Sequence, residues 1–156
     1  MTTPDTTIAP PRSLAERLRD TRAKLESEID LWVATAGSTG GAHLVPLSYR
    51  WDGSTFLIST PRSSITGRNL LADPRVRLSL GPTRDVVIVD GTAEPVDLAE
   101  LGSEAAEAFA ARTGFNPGAC DEPYQYFRIH PVRIQAWREA DELSGRTLMR
   151  DGAWLG

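Results

Sequence analysis

The sequence predicts a mainly β domain with helices, an α+β chain whose strands close into a small six-stranded antiparallel barrel. Three observations lead there. Six segments alternate apolar and polar side chains and are rich in β-branched and aromatic residues. Turn-forming residues such as Asp52-Gly53 set neighbouring segments up as hairpins. Helical spacing is confined to the start, a short middle segment and one late segment, and no repeat appears at solenoid or propeller periods.

Residues 1–12 carry threonines and prolines in a polar context and are expected to form a loose tail before a single domain, 13–156. Ser13 with Glu16 forms a capping box, and Leu14, Leu18 and Leu25 keep a rough helical spacing as far as Glu28. That helix buries one thin stripe. Residues 30–36 read as the first strand, and 42–51 as the second after a Gly-rich loop. Pro46 cannot donate to a ladder, so an edge or a bulge is expected there. Asp52-Gly53 predicts a type I′ hairpin into a third strand, Thr55–Thr60. A loop then feeds a short helix that Pro74 ends. Residues 75–80 and 85–96 make strands four and five, and Asp97 caps a helix that stops near Thr113-Gly114. Strand six is expected over 128–137, followed by a turn at 150–153 with two short flanking strands.

Composition excludes several classes. With 156 residues, 40% apolar and 24% charged, the chain is sized and composed for one globular core. Seventeen basic against 21 acidic residues argue against a nucleic-acid or polybasic membrane footprint. Lys24 is the only lysine; the other basic residues are arginines. A single cysteine, Cys120, precludes an internal disulfide or a paired-thiol metal site. No basic leader or long apolar run is present, so a cytoplasmic protein with no membrane span is expected.

Chemical motifs are sparse. His43 and His130 are 87 positions apart, and no zinc spacing, nucleophile elbow, dinucleotide-binding glycine motif or P-loop occurs. Paired carboxylates sit on polar segments with no apolar frame to shift a pKa. The informative stretch is Thr60–Asn69. It sets Thr60, Arg62, Ser63, Ser64, Thr66, Arg68 and Asn69 between a strand end and a helix start, with Gly67 permitting close backbone approach. Helix-start N–H groups, hydroxyls and guanidinium forks together suit a phosphate.

Several runs also carry a resemblance. Leu31-Trp-Val-Ala-Thr-Ala, Leu44-Val-Pro-Leu-Ser-Tyr and Asp52-Gly-Ser-Thr-Phe-Leu-Ile-Ser-Thr are followed by Arg68-Asn-Leu-Leu-Ala-Asp-Pro-Arg-Val-Arg-Leu and Val89-Asp-Gly-Thr-Ala. In this order they resemble the pyridoxamine 5′-phosphate oxidase-like split β-barrel flavoproteins, and most closely their actinobacterial flavin- or deazaflavin-dependent oxidoreductases. The likeness covers about residues 13–140 and implies a split barrel of the FMN-binding type. It also implies a homodimer with FMN or F420 at the subunit interface and a small-molecule substrate. Val45, Pro46, Leu47 and Ser48 would then run under the ring, and the Thr60–Asn69 residues would hold the phosphate. The partner's fifth strand near Arg84–Val87 and residues near Trp137 would close the site. Counting back from Asp73-Pro74, Ser64 and Thr66 occupy positions often basic in such proteins, and the Trp-Arg-Leu-His substrate motif of true pyridoxamine phosphate oxidases is missing.

The expected function is therefore an oxidoreductase in which the cofactor carries hydride to or from a small organic molecule while the protein orients it and excludes water. His43, Tyr49, Trp51 and Trp137 are the substrate-side candidates, with His43 or Tyr49 as a proton donor. The alternative is a non-catalytic split barrel that holds a cofactor or small ligand, which the neutral Ser64 and Thr66 favour. A haem protein is less well served, because neither histidine has an axial-ligand setting.

Overall fold

The computed structural model describes residues 9–156. Eight strands form one continuous sheet in the order β3-β2-β1-β4-β5-β6-β7-β8, and β3 also pairs with β6. Their ranges are β1 (Asp30–Ala36), β2 (Ala42–Trp51), β3 (Phe56–Pro61), β4 (Arg75–Leu80), β5 (Val86–Val96), β6 (Tyr124–Trp137), β7 (Thr147–Arg150) and β8 (Ala153–Trp154). The β3–β6 pairing closes the predicted six-stranded antiparallel barrel, and β7 and β8 extend the sheet beyond β6.

Strand alternation decides what faces inward. Leu31 and Val33 pair with Leu47 and Val45, and all four pack toward the interior. Tyr49, Phe56, Ile58, Leu78, Phe127 and Ile134 complete the largest inner layer. The other parity turns outward, so Trp32, opposite Pro46, is 47% exposed, and Leu44 is 59% exposed. A smaller second core forms outside the barrel, where Leu57 and Tyr126 meet Val96, Leu101 and Phe109.

The helices follow their caps. The capping box of Ser13 and Glu16 opens α1 (Leu14–Ser27), and Ser64 caps α2 (Ile65–Ala72) by accepting from the Gly67 N–H. The helix expected after Asp97 is two helices, α3 (Leu98–Leu101) and α4 (Ser103–Thr113). Gly102 breaks them apart at φ 85°, and the Asp97 side chain makes no capping bond. Gly114 ends α4 in the left-handed region as anticipated.

Two turns exchange the expected roles. The loop after β2 spans Asp52–Thr55, and Asp52 does not adopt positive φ; its carboxylate instead accepts from the Ser54 and Thr55 N–H groups. The predicted type I′ geometry appears at Asp151-Gly152, with φ 51° and 79°, joining β7 to β8. Pro46 lies where β2 pairs only with β1, as an edge position requires. The bulge sits beside Pro131: Asp90 pairs with Arg133 and Gly91 with Pro131, leaving Val132 unpaired with β5.

Most of the expected tail lies outside the described residues, but Arg12 is firmly held. Its backbone N–H and guanidinium donate to the carboxylate of Glu142 at 2.9 Å. Arg17 on α1 is buried beside them, donating to the carbonyls of Glu142 and Gly145.

Candidate functional site

The barrel opens between β2 and β3. The two strands pair only through Tyr49–Trp51 and Phe56–Ile58. Beyond that point residues 42–48 stay with β1, while Ser59, Thr60 and Pro61 stay with β6. Helix α2 contacts β1, β2 and β3, so it sits at this divergence. Residues 42–48 of β2 therefore have no strand partner on the side away from β1.

The connector into α2 is tightly built. Ser64 N–H donates to the Pro61 carbonyl at 3.0 Å, making the turn that starts the helix. Gly67 packs directly on the end of β3: a Cβ there would lie 2.6 Å from the Pro61 oxygen and 2.9 Å from the Arg62 oxygen. The Ser64 hydroxyl takes the Gly67 N–H and shares a 3.0 Å hydrogen bond with the Thr60 hydroxyl. Thr66 is buried. The Gly67 donor is thus capped, and the first-turn N–H groups of Ile65 and Thr66 have no intrahelical acceptor.

Beside α2 runs a groove of about 470 Å³, which brings together His43, Arg68 and Asn69 with Ile65 and the Gly37–Gly41 loop. Asn69 fixes its wall by donating to the Thr35 hydroxyl at 3.0 Å, and Thr35 is the β1 partner of His43. Arg68 is exposed, and its guanidinium has no hydrogen-bonded or ion-pair partner among the described residues. A second groove of about 570 Å³ opens on the outer sheet nearby, where Ala34, Ala36, Arg75, Arg77 and Asp90 line it. At its rim the Asp73 carboxyl is held down to about 2 by hydrogen bonds from Arg75.

The remaining expected residues divide. Arg62 turns away from the groove and donates to the side chain of Gln125 on β6. Ser63 is exposed in the turn, whereas Thr60, Ser64 and Thr66 are spent on the connector's own bonds or its interior. Val45 and Leu47 point into the barrel and pack on its core. Pro46 and Ser48 face outward, and the Ser48 hydroxyl donates to Asp30 at 2.6 Å.

The expectations for Tyr49 and Trp51 need correction, and Trp137 stands apart from the groove within its own chain. Tyr49 is fully buried, and its hydroxyl donates to the Leu25 carbonyl at 2.8 Å, so it is a core residue rather than a substrate-side one. Burial pushes that hydroxyl's pKa well up. Trp51 stacks against Phe56 at the opposite end of β2 from His43, about 26 Å away along an extended strand. Trp137 pairs with Val86 at the far end of β6 from Gln125, so in its own chain it does not reach the α2 groove. Gln125 went unnoticed in the sequence because β6 begins four residues earlier than the alternation suggested. Buried at 3% exposure, it also donates to the Val96 and Tyr126 carbonyls.

A closed six-stranded antiparallel barrel that parts between two strands, with a short helix at the parting, defines a split-barrel protein. The family model for pyridoxamine 5′-phosphate oxidase matches residues 19–138, and the chain belongs to that family. Solved structures agree on the fold. An F420 reductase is 18% identical, with a TM-score of 0.60 over 72% of this chain and 94% of its own. The heme storage protein HutZ from Vibrio cholerae is 16% identical, with a TM-score of 0.64 over 80% and 95%. General Stress Protein 26 from Bacillus anthracis is 17% identical, with a TM-score of 0.56 over 80% and 93%. No match is found among curated proteins. No helix of the described residues is long and apolar enough to cross a membrane.

Proposed function

We propose that the protein is a flavin- or deazaflavin-dependent oxidoreductase that binds FMN or F420 at the interface of a homodimer. The observation that carries this reading is the groove beside α2, where the Arg68 guanidinium, without a partner among the described residues, lies with Ile65 of the first helical turn beside His43. Its donor set suits a phosphate: Arg68 offers a bidentate fork, and Ile65, in its wall, carries a backbone N–H with no intrahelical acceptor. The unpartnered edge of β2 at 42–48 supplies backbone groups for the rim of a planar ring, with Pro46 facing it. When bound, such a cofactor supplies hydride chemistry. The chain's part is to hold the phosphate, present the strand edge and shield the ring from water.

The outer face supports the proposed dimer. Trp32, Leu44 and Pro46 lie together and exposed, and an isologous interface would cover them. In such a dimer the family resemblance would set the partner's residues 84–87 and Trp137 against the groove, which Trp137 does not reach in its own chain. The F420 reductase among the fold neighbours is consistent with this assignment.

One observation favours a second reading, a non-catalytic split barrel that stores a cofactor or small ligand. The hydroxyls of Thr60 and Ser64 bond to each other, Thr66 is buried, and Arg62 leans on Gln125, so the phosphate would rest on fewer groups than expected. HutZ, a fold neighbour, is a storage protein. Fluorescence titration with FMN and with F420, combined with the visible spectrum of the purified protein, decides between them. Binding followed by bleaching on reduction and turnover with an electron acceptor supports the enzyme. Binding without turnover supports storage, and binding of neither cofactor overturns the first reading.

A further inference from the structure

We propose a second ligand site, for a small organic anion with an apolar body, in the groove between α1 and the β6–β7 corner. The groove has a volume of about 650 Å³ and is lined by Arg17, Arg133, Arg146 and Arg150, with no carboxylate in its walls. In a chain of net charge −4, four guanidinium groups around one groove is a marked segregation of charge.

The four arginines divide by what they already hold. Arg17 forms the back wall, buried, with its terminal nitrogens on the carbonyls of Glu142, Gly145 and Ser144. Its buried Nε makes no hydrogen bond but lies 3.8 Å from the Glu142 carboxylate, so the charge of Arg17 is paired behind the wall. Arg133 shares the Asp90 carboxylate with Arg77, so one negative charge serves two cations. Arg146 donates one bond to the Leu143 carbonyl and lies over the Trp137 ring at 5.8 Å. The Arg150 guanidinium has no hydrogen-bonded or ion-pair partner among the described residues. Arg146 and Arg150 therefore keep most of their donors free for a carboxylate, phosphate or sulfonate.

The apolar part of the ligand has a matching surface. Leu143 and Leu155 line the same groove, each 41% exposed. Exposed leucines beside the Arg146 and Arg150 guanidinium groups, which have no carboxylate partner among the described residues, suit an amphiphilic anion better than a bare inorganic one. Most of the site is built from residues before 19 and after 138, outside the segment matched to the family. It is thus a feature of this chain's ends and stands apart from the cofactor groove beside α2.

The test is a fluorescence titration with anilinonaphthalene sulfonate, an aromatic body carrying one sulfonate. The wild-type protein should bind it, octanoate should displace it, and octanol and inorganic phosphate at equal concentration should not. The double variant Arg146→Gln, Arg150→Gln should bind at least about fivefold more weakly, and added salt should weaken the wild type. Arg150→Gln alone, at an exposed strand end, should show part of the loss with an unchanged melting curve. Arg68→Ala should leave the titration unchanged, which separates this site from the cofactor groove. Equal affinity of the double variant and wild type would overturn the proposal. So would displacement by octanol as strong as by octanoate, which would make the site merely apolar, or by phosphate, which would make it a bare anion site.

Discussion

The amide of Asn69 donates to the hydroxyl of Thr35 at 3.0 Å, so one hydrogen bond ties α2 to the end of β1. Thr35 is buried at 7% exposure and pairs across the sheet with His43. This contact sets the wall of the groove from which Arg68 projects. Replacing Asn69 by Ala leaves the Thr35 hydroxyl without that partner and should cost about 1–2 kcal/mol in urea unfolding. Thr35→Val, which removes the matching group, should recover part of the loss in the double variant.

Gly67 should tolerate no side chain. A Cβ would press within 2.6 Å of a backbone oxygen, and backbone cannot swing aside as a long side chain can. Gly67→Ala should destabilise by about 1–3 kcal/mol and shift α2 away from β3. Thermal unfolding measures the first effect, and amide exchange of α2 the second.

Arg68→Ala should weaken FMN or F420 binding at least about fivefold, since it removes a charged hydrogen-bond donor from the groove. Arg68→Lys should restore part of it, because a point charge remains while the fork is lost. Titration of the purified protein gives both numbers. Equal affinities for wild type and Arg68→Ala would place the phosphate elsewhere.

Acid stability should depend on Glu142. Hydrogen bonds from Arg12 hold its carboxyl down to about 2, below the usual 4.5. The folded-state value is depressed, so the contribution is full above pH 4.5 and fades as pH falls toward 2. At about 1.4 kcal/mol per unit this amounts to as much as roughly 3 kcal/mol. Chemical denaturation at stepped pH should show that loss in the wild type and a flatter acid limb in Glu142→Gln.

The exposed pair Trp32 and Leu44 should mark the subunit contact. Leu44→Arg should turn a dimer into a monomer in light scattering and weaken cofactor binding with it. A wild-type protein already monomeric at micromolar concentration would refute the interface.

The fold was legible because it is written in local signals. Alternation placed the six barrel strands, though it began β6 four residues late; a turn signal placed the short last pair, and the Ser13–Glu16 box placed α1. What escaped depended on which side-chain and backbone groups pair, some near in sequence and some distant. Asp52-Gly53 has the composition of a tight turn, yet the Asp52 carboxylate captures two N–H groups and makes a wider one. Tyr49 alternates like a site residue, but its parity turns it inward, and only the Leu25 carbonyl shows where its hydroxyl goes. The Thr60–Asn69 connector was found from residue type alone. Residue type does not reveal that Ser64 and Thr60 satisfy one another or that Gln125 waits on β6 for Arg62.

Closure of the barrel has a kinetic consequence. Phe56 must find Ile129, more than seventy positions later, before β3 has a neighbour on its second side. Contacts that distant form late, because the intervening chain must first surrender its freedom. A nascent chain that has emerged only as far as β5 offers β3 as a bare apolar template for other molecules. Conditions that slow the arrival of β6, rather than those that weaken the finished barrel, should therefore govern how much protein is lost to aggregation during synthesis.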